Sequence, residues 1–194
     1  MIINGIIVFF INSLILYSCH KNASKFYNER IEKHKTFPKL YDLGIRYTPD
    51  LSKNINLSLV IDGICLILPF LFGYNIFIEF ISLFTIVTII RWIFISVTIL
   101  PKFKHCSDNK ISFYNYINGH CYDKVFSGHI STIFLLSLIL YSHKIINIPI
   151  LIISNMIWIY LILCIRYHYS VDILVSIVVC LLVFQNRMNY KIAL

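Results

Sequence analysis

The stretch FSGHISTIFLLSLILYSH, residues 126–143, is an apolar run that carries an ionisable side chain near its start. Its length is close to the ~20 apolar residues with which an α-helix crosses a bilayer. Backbone groups cannot stay unpaired in lipid, so a helix is favoured over a strand there. The stretch therefore predicts a membrane-spanning helix, in which His129 needs either a partner or a purpose.

Similar apolar runs recur along the chain, which has 194 residues, 58% of them hydrophobic and 13% Asp, Glu, Lys or Arg. A soluble domain of this size has too little interior to bury so much apolar surface. We therefore predict an all-α polytopic membrane protein, a single domain over residues 1–194 that forms a bundle of six transmembrane helices. The predicted spans lie near residues 2–18, 57–73, 76–100, 126–143, 145–165 and 168–185.

The first predicted span has no basic segment before it, which favours an anchoring helix over a cleaved signal peptide. The polar connection that follows, residues 19–56, concentrates the net charge of +8. It holds eight of the 17 Lys and Arg residues, namely Lys21, Lys25, Arg30, Lys33, Lys35, Lys39, Arg46 and Lys53. No RNA-binding motif accompanies them, and a basic loop beside a membrane meets anionic lipid head groups. We expect lipid partners and no nucleic acid.

Ionisable side chains inside a span cost roughly 2.5–3.5 kcal/mol each on insertion scales, so they are informative. Four stand out within or at the start of the predicted spans: Arg91, His129, His168 and Asp172. Two carboxylates, Asp62 and Glu79, also fall in spans but near the span starts. We interpret these two as interfacial or snorkelling charges.

His168 and Asp172 are four residues apart, which on a helix places them on one face about one turn apart. In that arrangement the carboxylate can hold one ring nitrogen and leave the other to attack or to move a proton. The same spacing also occurs in structural hydrogen bonds at helix starts, so the pair alone leaves both roles open.

The direction of the spans adds His129 to this pair. One helix separates spans four and six, so their N-termini open on the same face, with His129 and His168 in the two first turns. Two helix N-termini present N–H groups and positive dipole ends to one small volume, which suits a phosphate. Ser127 and Gly128 let the backbone approach a ligand closely, or Ser127 caps the helix. Together these residues predict phosphoryl transfer.

At these residues the chain resembles the sphingomyelin synthase family, a branch of the lipid phosphate phosphatase superfamily. The family's Cys-Gly-Asp, three residues, Ser-Gly-His-Thr pattern reads CYDKVFSGHI at 121–130, and its His-Tyr-Thr-x-Asp-Val pattern reads HYSVDI at 168–173. RWIFISVTILP at 91–101 is similar to the family's third-helix pattern, and FPKLYD at 37–42 to its proline-rich motif. The resemblance covers about residues 36–185.

The resemblance implies a phosphohistidine mechanism that needs no metal or other cofactor. His168 would attack phosphorus, Asp172 would orient it, and His129 would protonate the leaving alkoxide and then deprotonate the incoming hydroxyl. A phosphocholine, phosphoethanolamine or phosphoinositol group would move from a glycerophospholipid to ceramide, releasing diacylglycerol. The family's location implies the Golgi, the endoplasmic reticulum or the plasma membrane, with a lumenal or exoplasmic active site.

Several positions depart from the family pattern. Tyr122 replaces a glycine, Ile130 a threonine, and Tyr167 the glutamate that choline- or ethanolamine-specific members often have before the second histidine. Arg166 is reminiscent of relatives that transfer inositol phosphate or ethanolamine phosphate. The phosphatase branch has an arginine where Ile162 stands, which favours a transferase over a lipid phosphate phosphatase. A non-catalytic membrane relative is the third alternative.

Six residues form the candidate substrate-binding set: Arg91, Asp123, Lys124, Ser127, Gly128 and Arg166. Arg91 contacts either a lipid polar group or a buried carboxylate or carbonyl. Lys124 and Arg166 flank the two helix starts, as phosphate contacts or as solvated interfacial charges. Asp123 is either a site residue or a loop cap.

Two arguments about the side of the membrane disagree. The loops on the active-site face hold most of the basic residues, so the positive-inside rule places that face in the cytosol. The resemblance implies the opposite face, which we favour. In that oxidising compartment Cys106 and Cys121 could form a disulfide in the loop before His129, or remain two unlinked thiols.

Overall fold

The structure is a computed structural model that describes residues 40–98 and 125–187, together with positions 14, 18, 21 and 25. The regular secondary structure of this part of the chain is all helical, with six α-helices and one 3-10 helix. We number them α1 (Leu43–Tyr47), α2 (Ile55–Ile67, continued by the 3-10 helix Leu68–Phe72), α3 (Tyr74–Val97), α4 (Gly128–Ser142), α5 (Ile148–Cys164) and α6 (Ser170–Gln185). The predicted all-α fold is confirmed for the described residues.

Five of the six predicted spans coincide with helices. The 3-10 extended α2 occupies the span predicted at 57–73, and α3 to α6 occupy the four that follow. The first predicted span, 2–18, lies outside the described residues except for positions 14 and 18, which are helical. The extent of that span therefore stays a prediction.

Helix length separates α3 from the other apolar helices. Within the described ranges, Tyr74–Ile95 is the one helix long and apolar enough to cross a membrane by these two measures. Four others are apolar but shorter than the ~20 residues that a span needs: Asn56–Phe72, Gly128–Ser142, Ile148–Cys164 and Ser170–Gln185. The number of spans therefore stays a proposal.

Local sequence sets the two helix starts that the site uses. The hydroxyl of Ser127 accepts a hydrogen bond from the backbone N–H of Ile130 at 3.2 Å, so α4 begins directly after it. Arg166, with a φ of 59°, ends α5 in the left-handed conformation, and the N–H of Tyr167 bonds back to the carbonyl of Ile162 at 3.3 Å. This reversal leads the chain into α6 within a few residues.

Helix α4 lies at the centre of the described bundle and packs against α3, α5 and α6. Nearly every residue from Ile130 to Leu140 is buried, as expected for a helix surrounded on all sides. One apolar cluster joins α4 to α3 and α6 around Val87 and Leu136. A second cluster, around Ile61, joins α4 to α2, α5 and α6.

Helices α4 and α6 run in the same direction, as predicted. The backbone N–H of Ser127 donates to the hydroxyl of Ser176 at 2.7 Å. One turn further on, the thiol of Cys180 lies 3.8 Å from the carbonyl oxygen of Ser131. The offset of 49 residues is the same in both contacts, so the two N-termini face the same end of the bundle.

Candidate active site

His168 and Asp172 meet where α6 begins. Nδ1 of His168 lies 3.3 Å from Oδ2 of Asp172, and the same oxygen accepts the backbone N–H of Tyr169 at 2.8 Å. Both side chains are buried, and Asp172 is 0% exposed. The predicted contact between the two side chains is confirmed. It leaves Nε2 of His168 on the side of the ring away from the carboxylate.

The position of His168 differs from the predicted one. Helix α6 begins at Ser170, so His168 precedes the helix by two residues and does not lie in its first turn. The physical reason is the reach of Asp172, whose carboxylate accepts the N–H of Tyr169 and so fixes the helix start after that residue. The four-residue contact is therefore made across a helix start, not along a helix face.

His129 lies in the first turn of α4, as predicted, and has a carboxylate partner that was not predicted. Its Nε2 lies 2.8 Å from Oδ1 of Asp62 in α2. The hydroxyl of Tyr167 donates to Oδ2 of the same carboxylate at 3.1 Å. The Asp62 side chain is only 9% exposed, so its interpretation as an interfacial charge is wrong. The cost of an acidic group inside a span is the sequence feature that could have identified it.

The two histidine–carboxylate pairs adjoin each other. The ring centroids of His129 and His168 lie 6.2 Å apart, and the ring of Tyr167 lies 5.1 Å from that of His129. Nδ1 of His129 is buried and has no hydrogen-bond partner within the described ranges. Because Asp62 holds Nε2, Nδ1 is the nitrogen of His129 that remains for proton transfer.

A buried serine joins the two helix starts. The hydroxyl of Ser176, in α6, accepts the N–H of Ser127 and donates to the carbonyl oxygen of Asp172, each at 2.7 Å. Ser176 and Ser127 are both 0% exposed, so these bonds are shielded from solvent. They fix the start of α4 relative to the start of α6. The predicted capping role of Ser127 is confirmed, and its contact with a substrate stays a prediction.

Arg91 of α3 reaches the start of α4. Arg91 is 8% exposed, and its guanidinium packs so closely on Gly128 that a Cβ there would lie 2.6 Å from Nη1 and 3.2 Å from Cζ. The close approach that Gly128 permits is therefore to an arginine side chain. A permanent positive charge thus lies beside the N-terminus of α4, where a phosphate would also be attracted by backbone N–H groups. Substrate contact by either residue stays a prediction.

Arg166 has protein partners that neither of its two predicted roles includes. Its Nη1 donates to Oγ1 of Thr48 at 2.8 Å and to the carbonyl of Leu163 at 2.9 Å, and its Nη2 donates to the carbonyl of Thr48 at 2.8 Å. Its side chain is 11% exposed, so it is not a solvated charge. These bonds tie the segment before α2 to the turn between α5 and α6. Contact of Arg166 with a phosphate stays a prediction.

The remaining candidate residues lie in the stretch between α3 and α4. Asp123 and Lys124, together with Cys106 and Cys121, are outside the described residues. Their proposed roles and the proposed disulfide stay predictions. In the part of the chain that the structure describes, no group of three or more His, Cys, Asp and Glu side chains is arranged to hold a metal ion.

Comparison with known families bears on the same region. Residues 120–189 match the family model described as PAP2 superfamily C-terminal. The PAP2 match contains both histidine motifs, with Ser127, His129, His168 and Asp172. It supports the superfamily that the resemblance indicated, for a little over a third of the chain, and it does not distinguish the sphingomyelin synthase branch. No curated protein is significantly similar to the chain.

Proposed function

We propose that the chain is a membrane-bound lipid phosphotransferase that moves a phospho-head group from a glycerophospholipid to ceramide and releases diacylglycerol. The observation that carries the proposal is the pair of adjoining histidines, each held by its own carboxylate, at two helix starts that are joined to each other. A two-step transfer through a covalent intermediate requires one nucleophile and one acid–base group. The PAP2 match over both motifs supports phosphoryl-transfer chemistry on lipids.

In the first step, Nε2 of His168 attacks the phosphorus of the donor lipid. The nitrogen–phosphorus bond forms, the bond from phosphorus to the glycerol oxygen breaks, and diacylglycerol leaves with a proton from Nδ1 of His129. Asp172 holds Nδ1 of His168 and stabilises the positive charge that develops on the ring. Asp62 holds Nε2 of His129 in the same way.

In the second step, the primary hydroxyl of ceramide enters where diacylglycerol left. His129 accepts the hydroxyl proton at Nδ1, the oxygen attacks phosphorus, and the bond to His168 breaks. Both histidines return to their starting states, so no co-reactant is consumed. The guanidinium of Arg91 and the first N–H groups of α4 would stabilise the charge on the phosphoryl oxygens in both steps.

A prediction about Arg91 follows from its packing on Gly128. We expect Gly128→Ala to lower the kcat of transfer roughly tenfold or more, because the added Cβ displaces the guanidinium from the start of α4. The matched control is Gly63→Ala in α2, where a Cβ meets nothing within 4 Å. Both variants are assayed as purified protein together with their Tm. Wild-type kinetics in Gly128→Ala would show that the position of Arg91 is unimportant.

The surface of the described helices supports a lipid environment. On α5, the side chains of Ile153, Met156 and Ile157 are each more than half exposed, and on α6 so are those of Leu174 and Val178. Apolar surface of this extent is unfavourable in water and suits contact with acyl chains. We propose an integral, multi-pass protein of the Golgi, the endoplasmic reticulum or the plasma membrane.

We propose that the active site faces the lumen or the exterior, against the positive-inside argument. In sealed vesicles with the cytosolic face outward, a membrane-impermeant thiol reagent should then leave Cys106 and Cys121 unlabelled until detergent is added. Samples are reduced first, so that a disulfide does not mimic protection, and an unreduced sample reports the proposed bridge. Labelling of the two thiols in intact vesicles would place the site in the cytosol.

The test of the proposed function is product identity. The chain is expressed in a membrane that lacks such enzymes, fluorescent ceramide is added, and the labelled products are separated and identified by mass. A labelled phospho-ceramide, formed together with diacylglycerol, is the expected result. Its head group identifies the donor lipid. Absence of any labelled phospholipid would refute the transferase. If, in addition, no diacylglycerol is released and His168→Ala is indistinguishable from the wild type, a non-catalytic membrane relative remains.

A lipid phosphate phosphatase is the second candidate, because the PAP2 match fits phosphatases and phosphotransferases equally. In that case water takes the place of the ceramide hydroxyl in the second step. Diacylglycerol released from phosphatidic acid without added ceramide, and without any phospho-ceramide, would favour the phosphatase. Release that depends on ceramide would favour the transferase.

A further inference from the structure

The segment that leads into α2 is bonded to the turn between α5 and α6. We call residues 40–54 the strap. The backbone N–H of Leu51 donates to the carbonyl of Cys164 at 2.8 Å, at the end of α5. Arg166 in the turn after α5 donates to the carbonyl and the hydroxyl of Thr48. The strap therefore lies across the turn from which His168 projects.

Asp42 makes the contact of the strap with α6 itself. Its Oδ2 accepts the backbone N–H of Ser170 at 2.7 Å, and its Oδ1 accepts the hydroxyl of Ser170, also at 2.7 Å. Oδ1 also accepts the N–H of Ile45 at 2.9 Å and so caps the short helix α1. One carboxylate thus serves two helix starts, although Asp42 and Ser170 are 128 residues apart in sequence. Asp42 is the last residue of the FPKLYD motif. The proposed catalytic steps do not involve this motif.

The close fit around Ser170 shows that this contact is built into the fold. A Cβ at Gly44 would collide with the hydroxyl oxygen of Ser170, and it would approach Leu163 to 3.0 Å. A side chain at position 44 would therefore push the strap away from α6. The N–H of Ser170 is one of the first donors of α6, which have no partner within the helix itself. A carboxylate satisfies such a donor and also stabilises the positive end of the helix dipole.

We propose that Asp42 is a positioning residue for the His168–Asp172 pair and that it acts through Ser170. The proposal rests on the proposed function. Ser170 lies midway between the two members of the pair, two residues from each. Fixing its backbone N–H and its hydroxyl fixes the point where the chain passes from the turn into the helix. The 3.3 Å contact between Nδ1 of His168 and Asp172 spans that point, so a shift of Ser170 changes it.

The decisive variant is Asp42→Asn, which keeps the size of the side chain. Its amide oxygen can still cap Ile45, but its NH₂ group then faces the N–H of Ser170, donor against donor. We expect kcat to fall about tenfold or more with KM unchanged, because the nucleophile is misaligned while lipid binding is kept. The matched control is Glu79→Gln, which makes the same acid-to-amide change in α3, at a carboxylate that pairs with His143 and Arg187. Its kcat should stay within twofold of the wild type.

A second measurement does not depend on activity. Hydrogen–deuterium exchange of the peptide that covers residues 166–176 is compared in lipid nanodiscs. Asp42→Asn should exchange about tenfold faster at the start of α6, because the Ser170 amide loses a charged acceptor. Glu79→Gln should exchange as the wild type does. Ser170→Ala removes the hydroxyl half of the contact, and added to Asp42→Asn it should lower kcat no further than Asp42→Asn alone.

The outcomes separate the positioning role from a merely structural one. A lower kcat and faster exchange in Asp42→Asn, with Glu79→Gln unaffected, support the proposal. Wild-type exchange in Asp42→Asn, or faster exchange with wild-type kcat, overturns it. A fall in folded yield with unchanged kcat per folded molecule also overturns it. If the wild-type chain transfers no head group, the proposed function fails, and the exchange comparison alone then decides whether Asp42 fixes the start of α6.

Discussion

Replacing His168, His129 or Asp172 by alanine is expected to lower head-group transfer on the order of 10⁴-fold or more in each case, while the protein still inserts and folds. His168 supplies the nucleophile, His129 the proton, and Asp172 the contact that orients His168 at 3.3 Å. Each step needs all three, so double variants should lose little beyond the single ones. The measurement is transfer to fluorescent ceramide by purified protein at matched folded concentration.

The two histidines are distinguished by a donor lipid whose leaving group is nitrophenolate, which needs no proton. With this donor, His129→Ala should still form phosphohistidine, and His168→Ala should form none. The matched control is His143→Ala, because His143 also lies 2.8 Å from a carboxylate, that of Glu79, but at the opposite end of α4. It should keep wild-type activity. Half of the wild-type transfer rate in any of the three active-site variants would end the mechanism.

The all-α fold and most helix positions could be predicted from the sequence because the apolar runs are long and are separated by polar connections. The ends of the helices were harder to predict from the sequence, since they depend on single contacts. The start of α6 after Tyr169 depends on the carboxylate of Asp172 reaching one backbone N–H at 2.8 Å. A hydropathy pattern contains no information about that bond. The number of membrane spans also depends on where the helices end. Helices α4 and α6 are 15 and 16 residues long, shorter than the ~20 residues that a span needs.

Within the site, residues close in sequence were predictable and residues brought together by tertiary packing were not. The contact of His168 with Asp172 joins residues only four apart in sequence, although it is made across a helix start. The pairing of His129 with Asp62 crosses 67 residues and depends on how α2 packs against α4. The partners of Arg166 in the strap are 118 residues away. The sequence alone does not give the packing of these helices. The signals for a role of Asp62 and Arg166 were therefore only their charge and their position in a span or turn.

The second large effect is expected at Asp62. Asp62→Asn should lower transfer roughly 10²-fold or more, because the carboxylate fixes which ring nitrogen of His129 carries the proton. An asparagine NH₂ group placed at 2.8 Å from Nε2 favours the opposite tautomer, in which Nδ1 cannot accept the ceramide proton. The loss should be greater than that of Tyr167→Phe, which removes only the hydrogen bond to Oδ2 at 3.1 Å. Transfer rates for the two variants are measured with the same ceramide assay.

Glu79→Gln is the matched control, since it makes the same chemical change in a third histidine–carboxylate pair, His143–Glu79, at the opposite end of α4, and leaves the site intact. With the nitrophenolate donor, Asp62→Asn should recover phosphohistidine formation close to the wild-type rate, because that leaving group needs no proton from His129. The second step, transfer to ceramide, should stay slow and leave the phosphohistidine accumulated. Equal loss in both steps would mean that Asp62 supports the packing of α2 against α4 and not the chemistry of His129.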